Sequence, residues 1–118
     1  YGQGKTRGRT AKLGVDATTN QACAVLYNIK DSVLTDYLWV YLINEYERLR
    51  ALASGNNQPN LNAEMIKGYP VIIPPKNVQK IIISDFQRMK NNQKQKLQEA
   101  EKLKSEALRE FENTIFNI

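Results

Sequence analysis

Histidine is absent from these 118 residues. That one absence removes His-based triads, imidazole acid–base pairs and His metal ligands. A single cysteine, Cys23, leaves no internal disulfide and no cysteine-based zinc site. A lone thiol suits a reducing cytosol but bounds the compartment poorly. Cys23 sits in Ala22-Cys23-Ala24-Val25-Leu26, which reads as a small buried residue rather than a nucleophile. No apolar run exceeds Tyr37–Ile43, far short of the roughly 20 residues that cross a bilayer. The opening Tyr1-Gly2-Gln3-Gly4-Lys5 has no apolar core of a signal peptide, so a cytoplasmic protein without membrane contact is expected. The first residue is Tyr1 rather than Met, which points to a processed or truncated piece.

What remains is an ordinary globular composition, 25% charged and 42% hydrophobic, with a net charge of +5. The charge is uneven. Residues 1–30 carry Lys5, Arg7, Arg9, Lys12 and Lys30 against Asp16 alone, whereas residues 31–59 are net acidic. A basic excess gathered at one end favours a polyanion partner, though many basic domains bind none.

The pattern along the chain indicates an α+β class. Residues 1–12 read as a loop, with Gly2, Gly4 and Gly8 permitting unusual backbone conformations. Residues 21–29 are apolar and short enough for a buried strand. An amphipathic helix of about 19 residues follows, capped by Ser32 or Thr35 and stopped at Ser54-Gly55. Its apolar face comprises Leu34, Leu38, Tyr41, Leu42, Leu49 and Leu52. Asn62 is placed to cap a short helix over Ala63–Lys67, closed by Gly68. Tyr69–Ile73 reads as a second brief strand ended by Pro74-Pro75. From Asn77, read as a cap, to near Ile115 there is neither glycine nor proline. Such a helix of about 38 residues would measure roughly 57 Å. Ile82, Phe86, Met89, Leu97, Ala100, Leu103, Ala107, Leu108, Phe111 and Ile115 recur along it at coiled-coil-like spacing, so it calls for a partner helix. The two expected divisions are residues 1–76 and residues 77–118.

Several segments are candidates for chemistry. Gly4-Lys5-Thr6 matches the tail of a phosphate-binding loop, and Ile81–Asp85 could pass for a strand ending in a magnesium-binding Asp. The first glycine of that motif would fall before Tyr1, Gly8 opposes the helix that should follow, and Ile81–Asp85 runs on into helical sequence. A nucleotide hydrolase is therefore the least favoured reading. The basic loop itself is the better candidate: Gln3, Lys5, Thr6, Arg7, Arg9 and Thr10. Lys and Arg neutralise phosphates, Gln and Thr add hydrogen bonds, and Arg can read guanine bidentately. A solvated tight turn accounts for the same composition equally well. Asn56, Asn57, Gln58, Asn60 and Asn62 could read adenine edges, but amide clusters more often cap helices and build turns. Tyr37, Trp39, Tyr41 and Tyr46 could stack on bases, but on an amphipathic helix they more often pack.

Taken together, the blocks resemble the target-recognition domains of type I restriction–modification specificity subunits. Gly2-Gln3-Gly4-Lys5-Thr6-Arg7-Gly8-Arg9-Thr10-Ala11 and Gly14–Ala24 carry the first part of the likeness. Asp36-Tyr37-Leu38, Gln58-Pro59-Asn60-Leu61-Asn62, Pro70–Pro75 and Val78–Ile82 follow in order, then the long charged helix. The resemblance implies a non-catalytic reader of double-stranded DNA, with each recognition domain taking half of a split site. Long helices would hold two such domains apart. The assembly would include methyltransferase subunits using S-adenosylmethionine and a restriction subunit using ATP and magnesium. No cofactor or metal is expected on this chain.

On this likeness, residues 1–76 correspond to the C-terminal part of a recognition domain and residues 77–118 to a spacer or dimerisation helix. Lys5, Thr6, Arg7 and Arg9 become the foremost DNA contacts, with Gln3 and Thr10 beside them. Asn20 and Gln21 match a family motif but read as a polar turn. A whole subunit would carry two recognition domains and two spacer helices, so upstream strands are expected, and self-association through the long helix would cover its stripe. The rival from another class is a helical oligomerisation or adaptor module without nucleic acid.

Overall fold

Residues 6–53 and 61–116 are described by a computed structural model, in which four helices and no strand occur among these residues. The helices are α1 (Thr35–Asn44), α2 (Tyr46–Ala51), α3 (Ala63–Lys67) and α4 (Lys76–Phe116). The chain divides into two units, residues 1–83 and residues 84–118. The first holds α1 to α3 and the opening turns of α4.

The expected amphipathic helix is split into two by Glu45. Its φ of −90° and ψ of 8° leave the helical region, and its N–H is shared between the Tyr41 and Leu42 carbonyls. The Glu45 carboxylate, only 4% exposed as a residue, accepts from Arg48 Nη1 at 3.1 and 3.2 Å and from Tyr69 Oη at 2.5 Å. A carboxylate taken out of water requires such partners. Burial first, and then the hydrogen bond to Glu45, pushes the Tyr69 phenol up to about 12. Leu42, Leu49, Ala53 and Leu61 form the core, with Leu38, Tyr41, Met65 and Tyr69 packed against it. Leu52, expected on the apolar face, is exposed instead.

Neither Ser32 nor Thr35 caps α1. Leu34 occupies the N-cap position without a side-chain cap bond. Gln79 on α4 serves in place of a cap: its Oε1 accepts the Leu34 N–H at 2.8 Å. Its Nε2 donates to the carbonyls of Ser32 and Pro74, both at 2.8 Å. Gln79 is fully buried, and every polar atom of its amide is engaged. The short helix α3 matches its sequence signal, with Asn62 Oδ1 accepting the Met65 N–H at 2.9 Å. Asn77 lies inside α4 rather than capping it. The helix opens at Lys76, and the Pro75 carbonyl receives the N–H groups of Val78 and Gln79.

The α+β expectation with short strands is corrected by this arrangement. Residues 21–29 and 69–73 form no strand, and no backbone hydrogen bond links them among the described residues. A strand exists only where a neighbour completes its ladder, and a two-stranded pair is marginal even then. Here the carbonyls of the second segment are diverted. Tyr37 Oη donates to the Ile72 carbonyl at 2.5 Å, and Tyr41 Oη lies 3.5 Å from that of Pro70. Both segments instead border an open apolar hollow of about 590 Å³, lined by side chains such as Val25, Tyr27, Leu38, Ile66 and Val71. Cys23, expected to be buried, is exposed on the same segment.

The second unit is the remainder of α4. Two ion pairs lie along its surface, Asp85 with Arg88 at 2.9 Å and Lys102 with Glu106 at 4.0 Å. Exposed pairs of this kind contribute little to stability. Its apolar stripe is uncovered: Leu97, Leu103, Leu108, Phe111 and Ile115 are all exposed.

Candidate nucleic-acid interface

The basic loop turns tightly at residues 6–10, where the Arg9 N–H donates to the Thr6 carbonyl at 3.1 Å. Gly8 has φ of +81°, a conformation that L side chains resist. It is also buried against α2. A Cβ built there would lie 3.1 Å from Arg50 Cγ and 3.3 Å from the Tyr46 carbonyl oxygen. Glycine therefore serves the packing of the loop onto the helix, as well as the turn itself.

The helix side of this contact is Tyr46 and Arg50, one turn apart on α2. Arg50 Nη1 donates to the Arg7 carbonyl at 2.9 Å and to Tyr46 Oη at 3.2 Å. The Arg50 guanidinium also lies 5.3 Å from the Tyr46 ring centre, within cation–π range. The loop is thus seated on a planar cation that is itself braced by an aromatic ring.

This seating separates the loop's side chains. Arg7 is half-buried, with its Nε shielded from water. Arg9 is exposed, and its side chain makes no hydrogen bond or ion pair among the described residues. Thr6 is exposed and Thr10 half-buried beside it. Gln3 and Lys5 lie outside the described residues. Lys12, two residues beyond the loop, is ion-paired with Asp36 and sits 5.5 Å over the Trp39 ring. Its charge is balanced locally, so among the described residues of the loop Arg9 is the outward cation. Composition had nothing to say about Arg50, which reads in the sequence as a favourable charge near a helix end. The i, i+4 spacing of Tyr46 and Arg50 was the available signal.

The other candidates fall to structural roles or outside the described residues. Tyr37 is buried, and its ring packs at 6.0 Å from that of Tyr41. Burial, then the neighbouring Tyr41, raises the Tyr37 phenol above its ordinary range. Asn62 is the α3 cap, while Asn56, Asn57, Gln58 and Asn60 are among the residues not described. Ile81–Asp85 lies within α4 and is no strand, which removes the magnesium-site half of the hydrolase reading. Among the described residues, no cluster of three acidic or cysteine side chains could hold a metal ion, and no helix is long and apolar enough to cross a membrane.

Residues 1–102 match a family model described as the type I restriction modification DNA specificity domain. No curated protein and no solved structure matches the chain.

Proposed function

The chain belongs to the type I restriction modification DNA specificity domain family, and we propose that it contacts double-stranded DNA through the turn at residues 6–10. The observation that carries this reading is the family match over most of the chain, together with an exposed, unengaged Arg9 on a loop seated against α2. Arg9 meets a phosphate or a guanine edge. Thr6 and Thr10 supply hydroxyls beside it, and Gln3 and Lys5 extend the same basic segment. The half-buried Arg7 contributes positive potential and, through its carbonyl, the anchor of the loop.

In this reading the chain recognises and does not catalyse. Methylation and cleavage fall to modification and restriction subunits, which hold the cofactors, and the complex works in the cytoplasm. The exposed stripe on residues 84–116 takes a helical partner, a second copy of this chain or another helix of the same assembly. A helix with seven large apolar side chains facing water gains stability by covering them.

Arg9→Ala, made in the specificity protein assembled with its modification subunits, tests the DNA contact. If Arg9 meets a phosphate, the slope of log affinity against log salt falls by about one. If it reads a base, about 1–3 kcal/mol is lost at one position of the site and the slope holds. Unchanged affinity, slope and sequence preference would exclude the loop as the contact.

A further inference from the structure

We propose that Arg50 is a positioning residue for DNA recognition, which acts by holding the 6–10 turn so that Arg9 faces the duplex. The proposal rests on the DNA-contact reading above and goes beyond it by assigning a function to a residue that need not touch DNA.

The geometry around Gly8 carries the argument. One guanidinium donates to the Arg7 carbonyl at 2.9 Å and to Tyr46 Oη at 3.2 Å while lying over the Tyr46 ring. The Arg50 methylenes form the floor beneath Gly8, close enough that a Cβ would touch Cγ at 3.1 Å. The Arg7 carbonyl belongs to the peptide unit that enters Gly8. Fixing that carbonyl fixes the peptide plane, and with it the φ of +81° at Gly8. The next residue is Arg9, so its side-chain direction follows from the same constraint. The turn is also closed by the Arg9 N–H donating to the Thr6 carbonyl.

Arginine is suited to this arrangement in a way lysine is not. A planar guanidinium presents several donors at fixed angles and can stack while it donates. An ammonium on a flexible stem keeps the charge but lacks the planar set of donors that reaches the Arg7 carbonyl and Tyr46 Oη together. Arg50→Lys therefore separates charge from geometry. A direct phosphate contact by Arg50 would survive that exchange in large part, because lysine also binds phosphate as a point charge.

The test compares Arg50→Lys, Gly8→Ala and Arg9→Ala in the assembled specificity complex. For each, affinity is measured on target and on non-target duplex across a range of salt. With Arg50→Lys we expect the same kind of loss as with Arg9→Ala: about tenfold on target alone if Arg9 reads a base, or a loss on both duplexes with a shallower salt slope if it meets a phosphate. Gly8→Ala strains the same peptide from the opposite side and should give the same loss. The double variant should lose less than the two single losses combined, as coupled neighbours do. The Arg9 amide should also exchange faster in Arg50→Lys, which reports the turn without DNA. If Arg50→Lys binds target like the parent while Arg9→Ala is impaired, the positioning role is overturned and the DNA contact stands. A loss in Arg50→Lys whose target preference or salt slope does not follow that of Arg9→Ala would likewise overturn it, since a positioning residue acts only through Arg9. If Arg9→Ala leaves all binding unchanged, the DNA-contact reading fails and takes this proposal with it.

Discussion

Gln79→Ala should be among the most damaging single changes in residues 6–83. Gln79 is fully buried, and its amide accepts the Leu34 N–H and donates to the Ser32 and Pro74 carbonyls, all at 2.8 Å. Removing it leaves three backbone groups without partners and a gap the size of the amide. A polar group left unpaired away from water costs about 1–3 kcal/mol. Ser32 is exposed and Pro74 half-buried, so water can serve part of what is released. The net loss is expected to be about 3 kcal/mol, at the upper end of ordinary substitutions. With a urea slope of about 1–3 kcal/mol per molar, the unfolding midpoint would fall by about 1 M or more. Fluorescence of Trp39 is the proper signal, because it lies on α1 in the same unit, whereas circular dichroism would be dominated by α4. Gln79→Leu separates volume from hydrogen bonding: it refills the space yet restores no partner, and should remain destabilised by about 2 kcal/mol. A Gln79→Leu protein as stable as the parent would refute the account, and so would a Gln79→Ala midpoint that did not move.

Two further outcomes follow from the geometry. The folded Tyr69 phenol titrates at about 12 against 10.0 for an ordinary tyrosine, so the folded state retains its proton where the unfolded state has lost it. Its contribution is complete below pH 10 and is lost as pH rises from 10 through about 12. Tyr69→Phe should flatten that part of the stability profile measured by urea midpoints, and an unaltered profile would contradict the assignment. The uncovered stripe should make the 118-residue chain associate at about micromolar concentration, and Leu103→Lys with Phe111→Lys should disperse it, since buried charge opposes a helical seam. Sedimentation showing a monomer before and after the substitutions would remove self-association through the stripe.

Signals confined to neighbouring residues were legible without coordinates. Asn62 three positions before Met65 makes the α3 cap a local event, and it formed as its spacing required. The stretch from Lys76 onward has neither glycine nor proline up to Phe116, and it is one helix. The order of short blocks pointed to the family that the match over residues 1–102 shows. The basic loop was also visible as a candidate, although nothing in composition could distinguish Arg7 from Arg9.

The rest depended on residues far apart in the chain. A strand is a relation between two segments, and residues 21–29 carry strand-like sequence without a ladder to join. The break at Glu45 lies in a segment of helical apolar spacing, where the carboxylate is buried against a tyrosine 24 residues away. Gln79 reads as an unremarkable helical amide until the backbone of residues 32–34 comes within 2.8 Å of it. Arg50 reaches back 43 residues to the Arg7 carbonyl, and that contact separates a shielded arginine from an exposed one. Helix propensity, capping and periodicity are carried by neighbours and survive in any context. The pairing of buried polar groups is settled only when distant backbone is brought together and water is excluded, and for that reason it needed the folded chain.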